Sequence, residues 1–235
     1  IAIAFAVIFA KEIFGGTGMN FLNVALVARA FLFFSYPSKM SGDSVWVATD
    51  KILGLGNTLP DGATMATPLG HIAQGTPLDA SLCDMVTGLI PGSIGETSVI
   101  AIAIGAVILL WTGIASWKTM LSVFLGGALT AALFQSLGST PVAWYEHLVL
   151  GGFAFGAVFM ATDPVTSART ETGKWIYGFL IGLMAIVIRV MNPGYPEGMM
   201  LAILLMNVFA PVIDYCVVNR NISRRANRIK NKEAK

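Results

Sequence analysis

The 235-residue chain is 55% hydrophobic and 12% charged, with a formal net charge of +2. A soluble domain carries about a quarter charged residues, and the apolar residues here come in runs rather than amphipathic stripes, which excludes an ordinary soluble fold. Cys83 and Cys216, like His71 and His147, lie far apart without ligand spacing; this excludes a zinc, haem or iron–sulfur motif and reads the cysteines as small buried residues.

Ile1 to Ala10 reads as the end of an apolar helix. The chain opens inside that run, without Met and without the basic start of a signal peptide, so it is expected to begin inside a longer protein. Phe21 to Tyr36, which contains Arg29, follows Gly15-Gly-Thr-Gly18 and is too short for an ordinary span. So is Leu78 to Leu89, which ends at Pro91-Gly92. Broken or half-length helices at membrane depth line a cavity, because their free backbone groups need partners. The start of the first would aim its dipole and free amides at a polar ligand; alternatively Gly15, Gly16 and Gly18 form a plain turn. The spacing fails G-x-G-x-x-G and no strand precedes it, which excludes a dinucleotide fingerprint.

Between these segments lies Asp61-Gly-Ala-Thr-Met-Ala-Thr67, followed by Pro68-Leu69-Gly70. It is similar to the acceptor motif of bacterial flavin transferases, roughly D-g-x-[ST]-x-A-T, in which the last Thr hydroxyl is joined to the phosphate of FMN. Such a Thr needs a small neighbour (Ala66) and accessible backbone. Pro68 keeps Thr67 extended, and Asp61-Gly62 favours a turn leading in. Read alone, the same residues also describe a plain loop. Asn20 and Asn23 share a face if their helix begins there; two such amides either hydrogen-bond the edge of a flavin ring or cap the helix.

Thr97 to Ile114, Met120 to Leu137, Trp144 to Ala161, Trp175 to Met191 and Met199 to Val218 are each close to the roughly 17–25 residues that cross a bilayer. The expected fold is an all-α integral membrane protein, a polytopic helical bundle with broken or half-length helices. Residues 1–218 form a single transmembrane domain, with a long extracytoplasmic loop within 37–96, and 219–235 form a basic cytoplasmic tail.

That tail holds seven of the fifteen Lys and Arg residues. Placing it in the cytoplasm fixes the other loops by alternation. Thr162 to Lys174 and Ala115 to Thr119 then lie inside; Gly138 to Tyr145 and Asn192 to Gly198, which lack Lys and Arg, lie outside with Pro37 to Glu96. Charge alone therefore puts Thr67 on the extracytoplasmic face, where transferases of this type act. The tail reads as a topology determinant with anionic-lipid contact, in preference to any nucleic-acid role.

An ionisable group at the centre of a membrane helix costs at least ~2.5–3.5 kcal/mol on insertion scales. Asp163 precedes Pro164, and Asp214 follows Pro211. Either they coordinate or attract Na⁺, a hard cation that favours oxygen ligands, or they lie near helix ends close to water. Arg29 and Arg189 could balance a flavin phosphate or a carboxylate; Arg189 could equally snorkel.

Several further stretches carry a resemblance. Lys11-Glu-Ile-Phe-Gly-Gly-Thr-Gly-Met-Asn-Phe-Leu-Asn23, Arg29-Ala-Phe-Leu-Phe-Phe34, Ser41-Gly-Asp43, Pro91-Gly-Ser-Ile-Gly-Glu96, His147-Leu-Val-Leu-Gly-Gly-Phe-Ala-Phe-Gly156, Ala161-Thr-Asp-Pro164 and Tyr195-Pro-Glu-Gly-Met-Met200 resemble the B subunit of the Na⁺-translocating NADH:quinone reductases, nearly end to end. The resemblance implies a subunit of a multi-subunit translocase in the bacterial inner membrane. FMN would be phosphoester-linked to Thr67 by a flavin transferase, riboflavin bound non-covalently at Asn20 and Asn23, and ubiquinone reduced while Na⁺ is exported. Much of the quinone site would lie in helices absent from this chain. Two departures stand out: Met65 replaces the usual Gly, and the stretch from Val47 to Asp61 is longer, with Leu53 to Thr58 as a loop. Thr64 is the second-ranked acceptor, ahead of Thr49 and Thr58. The alternatives are the D subunit of the ferredoxin-linked Rnf complex, and a flavin-free channel or transporter.

Overall fold

A computed structural model describes residues 1–40, 67–73, 75, 80–93, 95–192 and 194–233. Regular structure among these residues is helical throughout. Helix α1 (Ala2–Ala10) runs into a tight turn over Glu12–Phe14, closed by Gly15 at φ 119. Helix α2 (Val24–Ser35) follows and packs back on α1 through Phe5 and Phe31, with ring centroids 4.8 Å apart. A single turn, α3 (Pro37–Met40), then two short helices, α4 (Pro68–Ala73) and α5 (Leu82–Thr87), come before α6 (Val99–Trp111). Ser81 and Ser98 cap α5 and α6, accepting from the amides of Asp84 and Ala101, as side-chain oxygens do at helix starts.

Among the described residues three helices are long and apolar enough to cross a membrane: α7 (Trp117–Ser136), α10 (Glu171–Met191) and the first 31 residues, Met199–Ile229, of α11 (Met199–Glu233). Helix α11 continues through Pro211 and carries much of the basic tail on the same helix. Helix α7 shows why these belong in lipid. Its Leu121, Leu125, Leu129 and Leu133 point outward, while Thr119, Ser122, Gly126, Gly127 and Thr130 are buried. An outward leucine stripe over a small, polar inner face is the reverse of a soluble helix. It suits a solvent as apolar as leucine, in which association depends on close backbone packing.

The α7–α10 contact is of that kind. A Cβ on Gly182 would collide with the Val123 carbonyl, one on Gly126 with the Phe179 carbonyl, and one on Gly178 with the Ser122 hydroxyl. Around this seam the main core gathers Val123, Phe153, Tyr177, Ile181, Ile186 and Ile203. At the beginning of the pair, Glu171 forms ion pairs with Lys118 and, at 2.7 Å, with Lys174.

The segment read as one span from Trp144 to Ala161 is not one helix. It forms α8 (Glu146–Val149), a break at residues 150–152, α9 (Phe153–Phe155) and a widened turn over Gly156–Met160, in which the Ala161 amide bonds the Gly156 carbonyl at 2.8 Å. Gly151 supplies the positive φ, 60°, that the break requires. The freed groups find partners in α10 and the link after it. Arg189 donates to the carbonyls of His147 (2.6 Å) and Leu150 (3.3 Å), and the Glu197 carboxylate accepts the Gly152 amide at 3.0 Å. Non-helical backbone at membrane depth persists where protein takes up its polar groups.

Two other expectations are corrected. Cys83 and Cys216 are both exposed, not buried: neither lies on the inward face of its helix, whereas Met85 of α5 and Met206 and Ala210 of α11 do. Arg189 does not snorkel; it is buried with 6% exposure and carries its charge into the protein.

Candidate functional site

Asn23 is the N-cap of α2. Its Oδ1 accepts from the amides of Ala25 (3.1 Å) and Leu26 (3.2 Å), so two donors that a helix start leaves unpaired are satisfied. Its Nδ2 donates to Asp163 Oδ2 at 3.4 Å. Because α2 begins only at Val24, Asn20 precedes the helix and the two amides do not share a helix face. The Asn20 Oδ1 is buried and has no hydrogen-bond partner among the described residues.

Asn20 instead opens onto a cleft of about 440 Å³, bounded by the turn at Gly18–Phe21, the stretch 165–169, and the α11 residues Asn207, Ala210, Pro211 and Asp214. Positions 207, 210, 211 and 214 are spaced to lie on one helix face. Asp163 holds the adjoining stretch: Oδ1 accepts the Val165 amide at 3.1 Å and Oδ2 the Thr166 hydroxyl at 2.8 Å. Asp214 reaches across to the start of α10. Its Oδ2 accepts the Arg169 amide at 2.7 Å, and its Oδ1 accepts the Thr170 amide at 3.0 Å and hydroxyl at 2.6 Å. The Thr170 hydroxyl in turn accepts the Gly173 amide at 3.0 Å and caps α10. Both carboxylates are thus tied to neighbouring loops. No group of three or more His, Cys, Asp or Glu suited to a metal is found among the described residues. A second cleft of about 610 Å³ lies beside the first, between the α6–α7 link and residues 162–174, and Arg169 lines both.

Sequence reasoning did not single out Asn207. It is 1% exposed, and its Oδ1 accepts the Tyr177 hydroxyl at 2.6 Å. Its signal was present in the sequence: one amide in the middle of a long apolar run, a costly placement in a membrane helix.

Thr67 belongs to the other end of the molecule. It stands just ahead of α4, its Oγ1 accepting the Gly70 amide at 3.1 Å. It shares a narrow crevice with Pro91, Gly92, Glu96, Gly151 and Glu197. Glu96 Oε1 accepts the Ser93 amide at 3.1 Å, and a Cβ on Gly152 would meet both the Glu96 and Glu197 carboxylates. Burial, and then the charge of Glu197, push the Glu96 carboxyl above the ordinary carboxylate range, with the Ser93 amide and then Arg29 partly opposing them. The rest of the motif, Asp61 to Ala66, with Thr49, Thr58 and Thr64, lies outside the described residues. Glu197 just precedes α11 and Asp214 lies 15 residues beyond its first residue, about 22 Å at 1.5 Å per residue. The Thr67 crevice and the Asn20 cleft therefore sit toward opposite ends of the α10–α11 pair.

Three long apolar helices, an inverted α7, a broken segment buried in protein and a polar site at each end define a polytopic all-α membrane protein. The chain belongs to the NQR2, RnfD, RnfE family, which it matches over residues 1–223. It is 55% identical to the Na(+)-translocating NADH-quinone reductase B subunit of Chromohalobacter salexigens, over 97% of this chain and 55% of that protein. It is 52% identical to the B subunits of the same enzyme from Klebsiella pneumoniae (strain 342) and Pseudomonas aeruginosa (strain LESB58), over 97% of this chain and 56% of theirs. The chain spans about half the length of the curated relatives it matches.

Proposed function

We propose that this chain is part of the B subunit of an Na⁺-translocating NADH:quinone reductase. In this reading FMN is joined by its phosphate to the Thr67 hydroxyl, and riboflavin is held non-covalently at Asn20 and Asn23, in the cleft that Asn20 lines. Electrons pass to ubiquinone while the complex exports Na⁺. The observation that carries it is identity of 52–55% across 97% of the chain to proteins bearing that name. This favours the quinone reductase over the Rnf reading, which family membership alone leaves open.

The two sites support the cofactor assignment. A flavin ring offers both a ring N–H and carbonyls, and the Asn20 cleft presents an unpartnered buried acceptor of the kind such a ring would use. The Thr67 hydroxyl heads a short helix at the far end, consistent with attachment on the extracytoplasmic face. When bound, the flavins supply the electron-transfer chemistry; the chain's own residues orient them and exclude water. Asp214, which lines the Asn20 cleft, and Asp163, which ties the adjoining residues Val165 and Thr166, are proposed to attract Na⁺ toward the cytoplasmic entrance. Partners are the remaining subunits of the complex, membrane lipid and the flavin transferase. The location is the bacterial inner membrane, with the C-terminus cytoplasmic and the Thr67 loop periplasmic.

The test is the intact mass of the denatured chain from cells that possess the transferase. The expected result is an added FMN less one water, lost in Thr67→Ala and retained in Thr64→Ala. An unmodified mass would overturn the flavoprotein reading and put the flavin-free transporter first.

A further inference from the structure

Asn207 and Tyr177 are among the most deeply buried side chains of the molecule, at 1% and 0% exposure. The Tyr177 hydroxyl donates to Asn207 Oδ1 at 2.6 Å, a contact between α10 and α11. This bond fixes the amide: with Oδ1 occupied, the NH₂ group is directed elsewhere. The Asn207 Nδ2 has no acceptor among the described residues, although Asn207 lines the cleft. From a different segment, Asn20 brings to the same cleft a buried Oδ1 that has no donor.

A buried polar atom left unpaired is costly, and more so where no bulk water is near. Here one donor and one acceptor, contributed by segments far apart in the chain, are buried and unpaired on two residues that line a single cleft. A ligand that satisfied both would carry an acceptor for Asn207 and a donor for Asn20. A quinone ring offers only acceptors, and so does an ionised lipid phosphate. A carbonyl beside a ring N–H, the imide edge of a flavin or a pyrimidine, offers both. We propose that Asn207, held in orientation by Tyr177, is the second anchor of this cleft and makes it selective for an imide-edged ring over a quinone. Asn207 Nδ2 donates to a ring carbonyl while Asn20 Oδ1 accepts the ring N–H. The inference rests on the reading that this cleft holds the non-covalent flavin; the pairing of Tyr177 with Asn207 assigns that site residues beyond Asn20 and Asn23.

The experiment measures the non-covalent flavin released by acid from the detergent-purified protein, together with whatever subunits co-purify. The covalent flavin fluorescence that stays with the chain reports assembly in the same sample. Asn207→Asp keeps the shape and the oxygen that accepts from Tyr177 but replaces the donor with an acceptor; riboflavin titrated into stripped protein is expected to bind at least roughly tenfold more weakly, the scale of one lost buried hydrogen bond. Tyr177→Phe releases the amide without altering the cleft wall and is expected to weaken binding by a smaller factor, about two- to fivefold. A ubiquinone analogue titrated in parallel is expected to bind no more weakly to Asn207→Asp than to wild type. If Asn207→Asp proves unstable, the Tyr177→Phe titration decides alone. Wild-type riboflavin affinity in both variants would overturn the proposal while leaving the flavin reading intact. Wild-type protein that neither retains nor binds riboflavin would overturn both.

Discussion

Asp214→Asn separates a carboxylate that holds the fold from one that serves only an ion. In the wild type, Oδ2 accepts the Arg169 amide at 2.7 Å, while Oδ1 takes the Thr170 amide and hydroxyl at 3.0 and 2.6 Å. Asparagine retains one acceptor oxygen and turns an NH₂ toward a donor that then has no partner. Losing one hydrogen bond to a charged acceptor costs about 1.5–3 kcal/mol. For a chain of this size about 1 kcal/mol moves Tm by about 2–4 °C, so the expected fall is roughly 3–12 °C. Asp214→Ala, which removes both oxygens, is expected to fall further. The assay is thermal unfolding in detergent followed by far-ultraviolet circular dichroism, with the KM for Na⁺ of quinone reduction measured on the same preparations. A Tm within about 1 °C of wild type would refute the structural argument and leave Asp214 free for Na⁺. A fall in Tm with a raised KM for Na⁺ would assign it both tasks.

Other outcomes follow from packing, charge and exposure. Gly182→Ala forces a methyl group against the Val123 carbonyl; overpacking of about 1–3 kcal/mol is expected to lower Tm and, if the helices separate, to reduce recovery of folded protein on size exclusion. An unchanged Tm would contradict the close α7–α10 approach. The Glu96 carboxyl is raised by burial and by Glu197, so its folded form holds the proton to higher pH than the unfolded chain does. Stability is therefore full below the ordinary carboxylate range and falls as pH rises through the raised value. Glu96→Gln is expected to remove that fall; a Tm–pH profile unchanged in the variant would count against it. Cys83 is exposed in α5, on the side proposed to face the periplasm. A membrane-impermeant maleimide is expected to label Cys83 in intact cells and to label Cys216 only after permeabilisation. The reverse pattern would invert the proposed orientation.

The helical, membrane-spanning character of the chain was legible in its sequence. Apolar runs of bilayer length are local, and a helix in lipid satisfies its backbone within itself, so Trp175 to Met191 and Met199 to Val218 could be read without knowing their neighbours. The cap at Asn23, one of the two readings its amide left open, is local as well, since it bonds amides two and three residues on; Ser81 and Ser98 cap in the same way but were not singled out. Whereas 97–114 forms only the 13-residue α6, short of the length that crosses a bilayer, the span near 120–137 was legible too, with boundaries moved by a few residues. The interruption of Trp144 to Ala161 was not. Gly151 and Gly152 permit a break, but Arg189 and Glu197, some forty residues on, make it stable by taking the groups it frees. Which face of α5 or α11 looks inward also depends on neighbours, so the cysteines were misread. Asn207 and Asp214 were visible as polar residues in an apolar helix, yet their partners Tyr177 and Thr170 lie 30 and 44 residues away. The sequence by itself determined where helices form, because that balance is settled within a few turns of chain. Only the tertiary structure decided where they break, which buried amides are left unpaired and which carboxylates are already engaged, because each depends on groups that meet only when the helices pack.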